Sequence, residues 1–267
     1  VVASFSILGD VAQQIGGERV AVQSLVGANQ DAHAYNLTSS DIKKIREARL
    51  VLLNGLGLEK AELQRAVKQS KVASAEATAG IKPLAADEHH HEHGHDHDHD
   101  HGEFDPHVWN DPVLMQRYAA NVAIALIKAD PAGSRYYQQR FKDYQNVLNQ
   151  LNNYANQQFG AVAPAKRKVL TGHDSFAYLG KRYQVKFISP QGVSSEAEPS
   201  ARQIAAIIRQ IKAENVKAVF TENIKDGRMI ARIAKETGVK VSGGLYADAL
   251  SSGAPAGTYA DMFRYNV

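Results

Sequence analysis

Short apolar runs alternate with amphipathic stretches along nearly the whole chain. Val1–Phe5 reads as a buried strand, and Ile7–Ile15 as the helix after it, closed by Gly16-Gly17. Val20–Val26 reads as a second strand ending in the turn cluster Gly27-Ala28-Asn29-Gln30. Thr38-Ser39-Ser40-Asp41 is a good N-terminal cap for a helix running to Ala48. Leu50–Asn54 and Lys71–Ala75 are strands, with the helix Leu58–Gln69 between them. This alternation predicts a parallel sheet covered by helices.

Pro112–Ala129 is helical and stops at Asp130-Pro131. The longest periodic segment follows, over residues 133–159. In it Tyr137, Phe141, Tyr144, Leu148, Leu151 and Ala155 recur at alternating spacings of four and three, the mark of one helix face. The second half repeats the order of the first. It has strands at Lys168–Thr171, Val185–Ser189, Ala218–Thr221 and Val239–Leu245. Between them lie helices from Phe176 to Tyr183, at Pro199–Asn215 and at Ile224–Thr237. The expected fold is α/β: two similar lobes, each a four-stranded, mostly parallel sheet with flanking helices, joined by one long helix. The boundaries read as 1–131, a linking helix over 132–163, and 164–267.

Residues 87–105 interrupt this pattern. They hold eight carboxylates and eight of the eleven histidines, with no Lys or Arg. With little apolar surface to bury, the run reads as a solvated loop over 87–103. Its His89, His90, His91, His93, His95, His97, His99 and His101 read as accessory metal ligands. The formal charge of +3 is spread over apparent helices without a basic block carrying aromatics, which argues against nucleic acid. The absence of cysteine removes disulfides, thiolate metal sites and Cys nucleophiles together. The start on an apolar strand without Met is compatible with a removed signal peptide or a trimmed chain.

Three histidines lie outside the run: His33, His107 and His173. Singly, such residues are more often structural. Here His33 and His173 follow predicted strands, where open parallel sheets present ligand sites, and His107 leads into a helix. Asp248 follows the last strand. Three imidazoles and one carboxylate suit a tetrahedral Zn²⁺, with Mn²⁺ fitting less well. Two ligands from each lobe would place the ion in the cleft. Glu222, at the end of a strand, is a candidate acceptor for a ligand imidazole. A zinc hydrolase is the competing reading, but it would leave one coordination position open, and no nucleophile elbow, His-Glu-x-x-His or phosphate-binding glycine loop is present.

The chain resembles the zinc/manganese solute-binding subunits of ABC transporters, the ZnuA-like and TroA-like cluster. The resemblance rests on Val2-Ala3-Ser4-Phe5-Ser6-Ile7-Leu8-Gly9-Asp10, Asp105-Pro106-His107-Val108-Trp109, Gly172-His173-Asp174-Ser175-Phe176-Ala177-Tyr178-Leu179, and Ala247-Asp248-Ala249-Leu250-Ser251 with Thr258-Tyr259-Ala260-Asp261-Met262. It covers essentially the whole chain. It implies metal ligation by His33, His107, His173 and Asp248, two lobes on a rigid helix, and small motions on binding. His at the third ligand position leans towards zinc, and a His-rich insertion is typical of zinc-acquiring members. Ala32 and Asn36-Leu37 depart from the family's Pro and Glu-Pro; the first loosens the loop but keeps the ligand. The implied function is non-enzymatic: capture of Zn²⁺ by a monomer in the periplasm, or exported and membrane-associated. The ion would be delivered to a membrane permease, with a periplasmic zinc metallochaperone as a further partner. A manganese or iron binder on the same fold is the neighbouring alternative.

Overall fold

The computed structural model describes residues 1–86, 104–192, 195 and 198–267. In the first lobe β1 (Val2–Phe5), α1 (Ser6–Gly16), β2 (Gln23–Val26), α2 (Ser39–Glu47), β3 (Val51–Leu53), α3 (Ala61–Ser70) and β4 (Ser74–Glu76) follow one another. Next come α4 (Leu114–Ala129) and α5 (Ser134–Gly160). The second lobe contains β5 (Lys168–Leu170), α6 (Ala177–Tyr183), β6 (Lys186–Ile188), α7 (Ala201–Glu214), β7 (Ala218–Glu222), α8 (Arg228–Thr237), β8 (Gly243–Leu245) and α9 (Tyr259–Asn266). The sheets run β2-β1-β3-β4 and β6-β5-β7-β8. Every pairing is parallel, so all strand carboxyl ends in a sheet face the same way. That is what places the loops after β2, β5 and β8 at the ligand-bearing edges.

The expected capping cluster holds α2. Thr38 Oγ1 accepts from the backbone of Asp41, and the Asp41 carboxylate accepts from the backbone of Thr38. In α5 the buried Tyr137, Tyr144, Leu148, Leu151 and Ala155 form the anticipated face. At 27 residues the helix is about 40 Å long. It packs on α1 and α4 of the first lobe and on α6 and α9 of the second. One hydrophobic cluster therefore runs across both lobes, from Phe5 and Ile15 through Trp109 and Leu148 to Tyr183 and Phe263. A smaller cluster of Leu170, Ile188, Ile207, Ile211, Val219, Ile230 and Ile233 sits beneath the second sheet.

Several boundaries differ from the sequence expectation for local reasons. Helix α3 begins at Ala61, three residues after Leu58. Gly55, Leu56 and Gly57 all take positive φ, and this turn folds Glu59 back onto the end of β3. There the buried carboxylate accepts from the backbone of Asn54 (2.8 Å) and Gly55 (2.9 Å) and from Ser4 Oγ (2.7 Å). Lys71 is the left-handed cap of α3, so β4 starts only at Ser74. Likewise α8 starts at Arg228, where Asp226 accepts the free backbone N–H. The last helix, α9, has no counterpart in the sequence reading.

Candidate metal centre

Each of the four candidate ligands sits where regular structure has just ended. His33 lies in the turn region after β2, His173 follows β5, and Asp248 follows β8. His107 stands immediately before the short 3-10 turn Val108–Asn110. The four bring one ligand atom each to within 4.8 Å of one another, and all four are buried. His33 Nε2 is 2.7 Å from Asp248 Oδ2 and 3.1 Å from His107 Nε2. His173 Nε2 is 3.1 Å from Asp248 Oδ2, and His107 Nε2 is 3.2 Å from Asp248 Oδ1. Ligand atoms around a tetrahedral zinc would stand about 3.3 Å apart, given Zn–N distances near 2.0–2.1 Å. Three of the four separations lie within about 0.2 Å of that, and the His33–Asp248 pair, at 2.7 Å, is shorter by about 0.6 Å.

Two imidazoles are fixed from behind. Asp105 Oδ1 lies 2.7 Å from His107 Nδ1 and also accepts from the His107 backbone at 3.0 Å. Glu222, the last residue of β7, sits with Oε2 2.6 Å from His173 Nδ1, and its other oxygen accepts from Ser175 Oγ at 3.3 Å. A carboxylate on Nδ1 holds the proton there and leaves Nε2 as a lone-pair donor facing the centre.

Without a cation the centre holds protons. Burial alone would lower the His107 imidazole, but the carboxylates of Asp248 and Asp105 outweigh it and push it up to about 9. For His173 burial is likewise overcome, by Glu222 and Asp248, and its imidazole lies well above the ordinary value. Burial works against the Asp248 carboxylate, yet His107, His173 and His33 hold it well below the usual range. Among the described residues Asp248 Oδ1 is buried without a hydrogen-bond partner. A buried, ionised carboxylate facing three imidazole nitrogens is a cation site by its chemistry.

The structure also gives supporting roles that the sequence did not assign. Asp105 is two positions before His107, and that spacing is a legible signal. Trp109 and Asn110 carry none: Trp109 Nε1 donates to the carbonyl of Ala247 (2.8 Å) and Asn110 Nδ2 to that of Ser175 (2.8 Å). The eight histidines at 89, 90, 91, 93, 95, 97, 99 and 101 lie outside the described residues.

Fold and centre together define a two-lobed metal-binding protein. Residues 1–267 match the family described as zinc-uptake complex component A, periplasmic, and the chain belongs to that family. The manganese-binding lipoprotein MntA of Bacillus subtilis (strain 168) is 32% identical, with 100% of this chain and 87% of the relative covered. The manganese ABC transporter substrate-binding lipoprotein PsaA of Streptococcus anginosus is 27% identical, with 100% and 86% covered. Among solved structures, the periplasmic zinc-binding protein TroA of Treponema pallidum superposes with a TM-score of 0.90 at 26% identity, covering 99% of this chain and 95% of that one. The protein is thus a metal-binding, solute-binding component of an ABC transporter, working outside the cytoplasmic membrane. No helix among the described residues is long and apolar enough to cross a membrane.

Proposed function

We propose that the protein captures Zn²⁺ through His33, His107, His173 and Asp248 and delivers it to the membrane permease of its transporter. The observation that carries this reading is the convergence of four buried ligand atoms, two of them on imidazoles fixed by carboxylates. Three nitrogens and one carboxylate suit zinc, and four protein donors leave no position open for an attacking water, which favours capture over hydrolysis. Asp105 and Glu222 set the tautomers of His107 and His173. The protein performs no bond chemistry and acts as a monomer, its lobes divided at 1–131 and 164–267 by the helical span 132–163. The eight histidines of 89–101 collect zinc for the centre, by their composition alone, and a periplasmic metallochaperone is a partner for loading.

Manganese is the second reading, and one observation favours it. Among the described residues Asp248 Oδ1 has no hydrogen-bond partner, and it faces His107 Nε2 at 3.2 Å, so the carboxylate can offer both oxygens to an ion of higher coordination number. Competition titration of metal-free protein with Zn²⁺ and Mn²⁺ against a chelator of known affinity separates the two. Tighter Zn²⁺ binding at one site per chain is expected; tighter Mn²⁺ binding overturns the choice of metal.

A further inference from the structure

Two Asp-x-His sequences carry ligands in this chain, and they are built differently. In Asp105-Pro106-His107 the proline fixes the backbone between acid and imidazole, and Asp105 grips both the backbone N–H and Nδ1 of His107. In Asp31-Ala32-His33 the middle residue imposes no such restraint. Asp31 Oδ1 accepts the His33 backbone N–H at 2.9 Å, but its Oδ2 is taken by Ser195 Oγ from the second lobe. Among the described residues nothing bonds His33 Nδ1.

The supports of the other three ligands are tied to one another. Trp109, two residues after His107, holds the carbonyl of Ala247, the residue before Asp248. Asn110 holds the carbonyl of Ser175, two residues after His173. From the second lobe, Tyr178 donates its hydroxyl to the carbonyl of Asp105 at 2.5 Å. These groups are buried, so each bond is costly to break without water to replace it. One short segment thus carries one ligand and grips the flanks of two others.

His33 stands apart from this frame. Its turn region, residues 27–37, contains no helix or strand. The base is pinned, because Asn29 N–H donates to the carbonyl of Leu250 (2.8 Å) and Asn223 Nδ2 to Asn29 Oδ1 (2.9 Å). Beyond His33 the turn is held by side-chain bonds, from the Tyr35 hydroxyl to Asp41 (2.8 Å) and from Lys60 Nζ to Asn36 Oδ1 (3.3 Å), while Ala32, Tyr35 and Leu37 line a small recess facing Phe5, Leu58 and Leu63. His33 is 6% exposed, whereas the other three ligands are at 0%.

We propose that His107, His173 and Asp248 form a preassembled three-ligand seat, positioned by Trp109 and Asn110, and that His33 is the closing ligand. It joins last on capture and leaves first on release, so the ion passes on its side. This rests on the assignment of the four residues as ligands. A closing ligand governs escape more than encounter, so its loss acts on the dissociation rate.

Stopped-flow mixing of Zn²⁺ with the metal-free protein, and of loaded protein with excess chelator, gives the two rates. For His33→Ala, association stays within roughly threefold of the unaltered protein while dissociation rises on the order of 100-fold, at one Zn²⁺ per chain. Hydrogen–deuterium exchange on the unaltered protein gives a readout that no variant can confound. Segment 27–37 exchanges readily when metal-free and becomes protected with Zn²⁺, while 105–111, 171–176 and 246–250 are protected in both states. Trp109→Phe keeps an aromatic, though smaller, side chain and removes the donor, so it raises exchange in 246–250 of the metal-free protein and leaves 27–37 as it was. Equal gains in protection across all four segments overturn the proposal, as does a His33→Ala variant slowed mainly in association. Failure of the unaltered protein to bind zinc or manganese at this centre is a different result: it removes the ligand assignment and the inference with it.

Discussion

Replacing Glu222 by Gln tests how the protein tunes a ligand it does not itself touch through the metal. The amide keeps the shape of the carboxylate in a confined place, since a Cβ at Gly172 would already stand 3.2 Å from Glu222 Oε2. Gln can turn its oxygen to His173 Nδ1 and its amine to Ser175 Oγ, so the fold survives with the loss of the charge and of one long bond accepted from the His173 backbone N–H (3.4 Å). A hydrogen bond to a charged partner contributes about 1.5–3 kcal/mol and a neutral one about 0.5–1.5. The difference, roughly 1–2 kcal/mol, corresponds to a zinc affinity weaker by about 5–30-fold. The pH dependence carries a sign of its own. Glu222 also favours the protonated His173 of the metal-free protein, which zinc must displace. Its removal therefore eases proton competition, and the penalty of Glu222→Gln shrinks as pH falls from about 8.5 towards about 6. Chelator competition at several pH values gives the affinities, and thermal melting of the metal-free variant confirms the fold. A variant that melts normally and binds zinc as tightly as the parent at the higher pH refutes the reasoning, as does a penalty that grows on acidification.

At pH 7 the metal-free centre holds a proton on His107, whose imidazole lies near 9, so zinc binding expels about one proton or more. Affinity then climbs with pH up to that value, and calorimetry in two buffers of different ionisation enthalpy reads the protons released. Deleting residues 88–102 leaves one tight site and removes weaker ones; an unchanged stoichiometry in the same calorimetric titration would count against the collecting role. Leu148→Ala, in the buried face of α5, lowers stability by about 2–5 kcal/mol in a denaturant melt. Because the core is continuous across both lobes, that melt shifts as one transition; two separate transitions would contradict a shared core. Thr38→Ala costs about 1 kcal/mol through loss of the α2 cap, measured the same way.

The fold was largely legible because parallel sheets write themselves as short apolar runs between amphipathic helices. The ends of elements were less so, where a side chain rather than periodicity decides. Leu58 continues the apolar pattern into α3, yet Glu59 is used to satisfy Asn54 and Gly55, and the helix waits until Ala61. Helix α9 is short and follows a Gly/Ser/Pro-rich stretch, so Tyr259, Met262 and Phe263 gave too brief a pattern to stand out. At the centre, the position of a histidine after a strand is a local property and could be read. Trp109 bonded to Ala247 across 138 residues cannot be, because the pairing exists only once both lobes have folded on α5.

The central claim is that His33, His107, His173 and Asp248 share one zinc ion. Its most direct test is a crystal structure of protein purified with its native metal, with anomalous data on both sides of the zinc absorption edge. One zinc peak about 2.0–2.1 Å from the Nε2 atoms of all three histidines and from an Asp248 oxygen is the expected result. A peak held by other residues, or a signal at this position that does not change across the zinc edge, would contradict it.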